Sequence, residues 1–128
     1  MLIKLLAPVY NFRFDSSFRG FSVIIPQPTA DVYRGYGLKL LQPEGLREGE
    51  AVLRVRLTKD FDGVYIERAY GDISQQVWGP LGEIDTLWNP NDYLAETHLN
   101  LRKWSVHEES GVIAYASYVK FIVKKHNV

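Results

Sequence analysis

The chain reads as a single all-β domain, an antiparallel barrel or a two-sheet sandwich of about eight or nine strands. Three observations predict it. Seventeen of the 128 residues are aromatic (three Trp, eight Tyr, six Phe), and most stand in short runs that alternate apolar with polar, the period of a half-buried strand. Gly, Pro and Asp punctuate those runs at short spacing, as turns between short strands require. The length and an apolar content of 46% suit one domain with a self-sufficient core.

The candidate strands are 2–6, 9–14, 20–25, 32–41, 50–58, 63–70, 73–78, 93–106 and 111–124. The first is apolar but broken by Lys4, and Pro8 and Tyr10 stand where a cleavable leader would carry small residues, so it reads as a strand. Within 32–41, Gly35 and Gly37 flank Tyr36 without a third glycine or a following helix. They mark a bulge or a close backbone approach, not a dinucleotide fingerprint. Residues 42–50 form a polar loop. In 51–70, Leu53, Val55 and Leu57 alternate with Arg54, Arg56 and Thr58. A turn at Asp60 to Gly63 would then form a hairpin, with Leu57 opposite Ile66 and Arg56 opposite Glu67.

Residues 79–92 are the longest irregular stretch, with one helical turn expected at 83–88. Loops of that length in compact domains are commonly functional. The last two strands form a long hairpin turning at 108–111. Tyr93, Ala95, Thr97, Leu99 and Leu101 share one face of its first strand; Leu94, Glu96, His98, Asn100 and Arg102 share the other. The return segment 112–123 is apolar on both faces at its centre, which a doubly covered strand or an oligomer interface would explain. Ala114 and Ala116 would suit a helix there, but Tyr115, Tyr118, Val119, Phe121 and Val123 favour a strand.

The chain has no cysteine, so disulfides and thiolate chemistry are excluded, and the expected compartment is the cytoplasm. The longest apolar segment, 112–123, is too short for a membrane helix and contains Lys120, which predicts a soluble protein. Net charge is zero but uneven: +3 over residues 1–43, −5 over 44–92 and +2 over 93–128. A net basic domain or stripe is the usual mark of a nucleic-acid binder, so that class is disfavoured.

No nucleophile elbow, phosphate loop or metalloprotease motif occurs, so no catalytic residue, cofactor or metal ligand is assigned. His98, His107 and Glu109 lack the clustered spacing of a metal site. Asp60, Asp62, Gly63 and Glu67 resemble part of a calcium loop but fit a hairpin turn better. Glu96, His98 and Arg102 would form an acid–base or anion-binding stripe only if that face lined a barrel lumen.

The sharpest local cluster is 88–93, where Trp88 and Tyr93 bracket Asn91 and Asp92, groups able to stack on and hydrogen-bond a ligand. With Trp104 and Tyr118, these six are the candidate binding residues. The leading expectation is a non-enzymatic binding or assembly protein acting through protein–protein contacts, as a homo-oligomer joined through 112–123. The alternative is an OB-like single-stranded nucleic-acid binder using Phe12, Arg13, Phe14, Arg19, Arg102, Lys103 and Trp104. A third reading is a small-molecule barrel, or a cofactor-free enzyme built on one.

Overall fold

A computed structural model describes residues 2–14, 19–58, 60–70, 73–80 and 89–124. Among them are seven strands: β1 (Leu2–Phe14), β2 (Arg19–Ile25), β3 (Ala51–Leu57), β4 (Gly63–Tyr70), β5 (Ile73–Pro80), β6 (Tyr93–Val106) and β7 (Glu109–Val123). One helix, α1 (Gln27–Gly35), and a 3-10 turn at Pro90–Asp92 complete the described elements. The sheet order is β3-β2-β1-β6-β7-β4-β5, and a further parallel pairing of β3 with β7 closes β1, β2, β3, β7 and β6 into a five-stranded barrel. The all-β class is therefore correct, and the architecture is a barrel with a β4–β5 hairpin extending it.

The strand count falls below expectation for two physical reasons. Segments 2–6 and 9–14 are one strand. Its first half pairs β6 from Leu2 to Pro8 and its second half pairs β2 from Val9 onward, with a register shift between Val9 and Asn11. Pro8 is tolerated near this change of partner because a proline has no N–H to give a ladder. The predicted strand 32–41 instead begins in the last turns of a helix, and beyond it Leu38 and Leu41 make isolated bridges to Val112 and Val52. Pro28 lies in the first turn of that helix, where its missing N–H costs nothing. Ala30 and Tyr33 face inward, and Gly37, at φ 93°, ends it by donating its N–H to the Arg34 carbonyl. A β-carbon at Gly37 would lie 3.0 Å from Val112 Cγ2, so the expected close approach is real.

The hairpin expected within 51–70 does not form. Arg56 lies beside Gly20 and Tyr115, whereas Ile66 pairs Val77 and Phe121. Glu67 reaches Lys120 instead of Arg56. The final hairpin does form, but its turn sits at His107 and Glu108, with Val106 opposite Glu109.

Strand β7 explains its own two-sided pattern. Ala114 and Ala116 point inward, then Val119 and Phe121 do. The phase changes because His98 pairs Tyr118 while Leu99 pairs Ala116, leaving Ser117 as an extra residue in a β-bulge. The Ser117 hydroxyl donates to the His98 carbonyl at 3.3 Å, and the buried Thr97 hydroxyl donates to the Tyr118 carbonyl at 2.8 Å. Alternation is thus strict on each side of the bulge, and the apolar pattern requires no covering partner. Phe121 packs edge-on against Phe12 and Phe21 at 5.1 and 5.2 Å at the centre of the core.

Candidate functional site

Two concavities flank β7, and both follow from how its neighbours end. β1 begins pairing β6 at Leu2 opposite Asn100, so the hairpin beyond residue 101 leaves the barrel as a two-stranded arm. Residues 102–110 of that arm are all exposed. Between the arm and the barrel wall lies a groove of about 1040 Å³.

The groove is built from alternation. In β3, Leu53, Val55 and Leu57 are buried, which turns Arg54 and Arg56 outward. Arg34 in the last turn of α1 and Lys39 just beyond it add two more cations to the lining. Arg34 also meets Asp31 in an exposed pair at 3.3 Å. The arm contributes Trp104 to one wall, with Glu108 and Glu109 near its tip. Four cations thus converge on one groove of a chain whose net charge is zero.

Trp104 is held in place by a glycine. It stands directly opposite Gly111, and a β-carbon there would lie 2.7 Å from the indole Nε1. The ring therefore lies flat across the neighbouring strand, covering a glycine that has no side chain to pack. Gly111→Ala is expected to lift the indole off the strand. In a Trp78→Phe, Trp88→Phe background the emission of Trp104 should shift to the red while the melting temperature moves by less than about 4 °C. An unshifted spectrum would show that the ring is not seated on Gly111.

The second concavity, about 600 Å³, opens where β7 changes partners. β3 pairs β7 at residues 114–116, and β4 takes over at 120–122. The bulge at Ser117 lies in the gap. Tyr65 of β4 and Trp78 of β5 form one wall as an edge-to-face pair at 5.1 Å. Tyr115 and Tyr118 of β7 form the other, with the Arg102 guanidinium stacked 4.8 Å from the Tyr115 centroid.

The sequence-predicted residues divide between these places. Trp104 lines the groove and Tyr118 the second cavity, while Trp88 lies outside the described residues, as does the helical turn expected at 83–88. Tyr93 is buried, its ring 6.1 Å from Phe12. Asn91 and Asp92 belong to the 3-10 turn, capped by the Asn89 side chain accepting from the Asn91 N–H at 3.1 Å. These three stand at the far end of β6 from the arm. Of the other aromatic–basic candidates, Phe12 packs on the core, and Arg19 donates to the Phe61 carbonyl. Arg102 reaches the second cavity, and Lys103 is exposed on the arm. The Phe14 side chain lies outside the described residues. Arg34, Lys39, Arg54, Arg56, Tyr65 and Trp78 were not singled out. The Arg-x-Arg alternation in β3 was their one legible signal, and alone it marks only a solvated face.

The stripe Glu96, His98, Asn100 and Arg102 faces outward, since Thr97 and Leu99 point into a packed interior. It lines no lumen. Glu96 instead shares Lys120 with Glu67, at 3.5 and 3.3 Å. Burial would lower the Lys120 ammonium, but the hydrogen bond it donates to Glu67 and the two carboxylate charges outweigh that and raise its pKa above the ordinary 10.5. A raised folded pKa means the stabilisation is complete below the unfolded value and lost as pH rises through the folded one. The stability difference between wild type and Lys120→Met should hold from neutral pH up to the ordinary lysine value of 10.5 and be lost as pH rises through the higher folded value in urea titrations. A flat difference would leave the bridge without energetic weight.

Among the described residues no group of three His, Asp or Glu side chains could hold a metal ion, and no helix is long and apolar enough to cross a membrane. Comparison with protein-family models, curated proteins and solved structures returns no match.

Proposed function

We propose that the chain binds single-stranded nucleic acid along the face shared by β3, β7 and the β6–β7 arm. The observation that carries this reading is the groove in which Arg34, Lys39, Arg54 and Arg56 face the glycine-seated Trp104. Cations that track a phosphate backbone, beside an aromatic face on which any base can stack, form the usual single-strand platform. Net charge argued against nucleic acid, but recognition depends on the local field, and a concave low-dielectric wall concentrates it.

Connectivity supports the same reading. Taken along the chain, the barrel strands are β1, β2, β3, β6 and β7, a five-stranded Greek-key closure. OB-type barrels present oligonucleotides to the face of their second and third strands, and to the loops after the first and fourth. Here Arg54 and Arg56 occupy the third barrel strand, and Trp104 the arm that joins the fourth to the fifth. Fold likeness alone would assign nothing; the placement of these side chains gives it content.

The test is fluorescence anisotropy of a labelled mixed-sequence single-stranded DNA of about 20 nucleotides against a salt series. Binding should be tight at low salt and fall log-linearly, with a slope of about −0.7 for each phosphate neutralised. No binding at low salt would refute the reading.

Self-association remains a second reading on one specific observation. Leu2 and Leu6 on the outer face of β1 are 56% and 60% exposed. Leu2→Glu with Leu6→Glu should convert any dimer seen by native mass spectrometry to monomer. An unchanged mass would remove β1 as the interface.

A further inference from the structure

We infer that the cavity at the β7 fork takes one unstacked base of the strand whose phosphates run along the neighbouring basic groove. This inference rests on the nucleic-acid reading and deepens it, because it assigns a residue set for single-strand selectivity. The two concavities meet across β7: Ala114 lines the groove, and Tyr115 and Ala116 line the cavity. Tyr115 also lies beside Arg56 in the β3–β7 register. A polymer held by Arg54 and Arg56 therefore passes the cavity mouth at a distance of one strand spacing, about 5 Å.

The two lining chemistries divide the ligand. The groove carries four cations against Glu108 and Glu109, a net positive lining; the cavity carries Asp60 with Arg102, and Arg102 is already stacked on Tyr115. A phosphate gains little there. A planar, uncharged base gains the faces of Tyr65 and Trp78, which are 47% and 50% exposed in the free protein. The two rings touch at 5.1 Å, so their open surface is one contiguous aromatic patch and not two scattered side chains. Trp78 is also constrained in its placement. A β-carbon on Gly63 would lie 2.8 Å from its Cε2, so glycine is what allows the indole to lie there. The exposed Asn100 amide at the edge of the cavity offers both donor and acceptor, the pattern that reads a base's Watson–Crick edge. Only a base splayed out of a stack can enter, so the cavity discriminates against duplex.

The experiment is photocross-linking of wild-type protein to single-stranded DNA carrying 5-iododeoxyuridine at successive positions, with peptide mapping of the adducts. Adducts at Tyr65, Trp78 or Tyr118 are expected. Adducts confined to Trp104 would overturn the inference while leaving the groove intact. In parallel, Trp78→Leu should weaken single-strand affinity about 10-fold, with the salt slope unchanged because no phosphate contact is lost. Asn100→Ala should bring the affinities for dA, dC and dT homopolymers closer together. Unchanged affinity in Trp78→Leu, in a protein that still requires Arg54 and Arg56, would also overturn it. Failure of the wild type to bind any single strand would instead refute the function on which it rests.

Discussion

Replacing Arg54 and Arg56 together with glutamate is expected to abolish single-strand binding at moderate salt, with affinity falling about 100-fold or more. Both side chains leave β3 on its outer face while Leu53, Val55 and Leu57 fill the barrel, so the change should cost little stability. Surface substitutions away from caps and cores usually stay within about 0.5 kcal/mol. Loss of binding should therefore come with an unchanged circular dichroism spectrum and melting temperature. The neutral pair Arg54→Ala with Arg56→Ala separates charge from contact. Two lost phosphate contacts should reduce the magnitude of the salt slope by about 1.4. Wild-type affinity in the glutamate variant would place the ligand elsewhere on the surface.

The same residues mark where sequence reasoning stopped. An Arg-x-Arg alternation opposite a Leu-Val-Leu face was legible as a strand with a polar side. Whether that side meets a ligand depends on what stands over it, and the arm that does so comes from residues about 50 positions further along the chain. Local pattern does not encode such a meeting. The β6–β7 hairpin, by contrast, was readable because its signal is local: an alternating run, a short polar turn and a returning apolar run. Helix α1 was misread because Val32, Tyr33, Tyr36, Leu38 and Leu40 suit a strand by propensity. Pro28 at the start and Gly37 at the end are helix punctuation that outweighs them. Tyr93, a candidate binding residue, is buried, as its alternation with Ala95 and Thr97 indicates. Its neighbours set a turn, but its own position is the first inward residue of β6.

One ring anchors the core, and its removal should have the largest effect on the fold. Phe121→Ala is expected to destabilise the protein by about 3–5 kcal/mol. Phe121 is fully buried against Phe12, Phe21 and Tyr93, and that loss is a large part of the whole stability of a small domain, about 5–15 kcal/mol. Deletion of Ser117 should cost far less. Ala116 and Val119 both point inward although three positions apart, and the bulge absorbs that odd step. Without Ser117 the inward residues Ala114, Ala116, Val119 and Phe121 alternate strictly, and all four stay inside.

Ser117→Ala is the control, because it keeps the residue count and loses only the 3.3 Å hydrogen bond to the His98 carbonyl. That should cost about 1 kcal/mol or less. Thermal and urea denaturation followed by circular dichroism distinguish the cases: a near-native transition for both Ser117 variants and a much earlier one for Phe121→Ala. A deletion variant that fails to fold would mean the bulge does more than accommodate the odd inward step of β7. The same bend carries β7 from β3 to β4 and so opens the aromatic cavity beside the basic groove. The extra residue therefore shapes the fork and not the core phase, so its deletion should disturb the cavity beside Tyr118 while Phe121 stays packed.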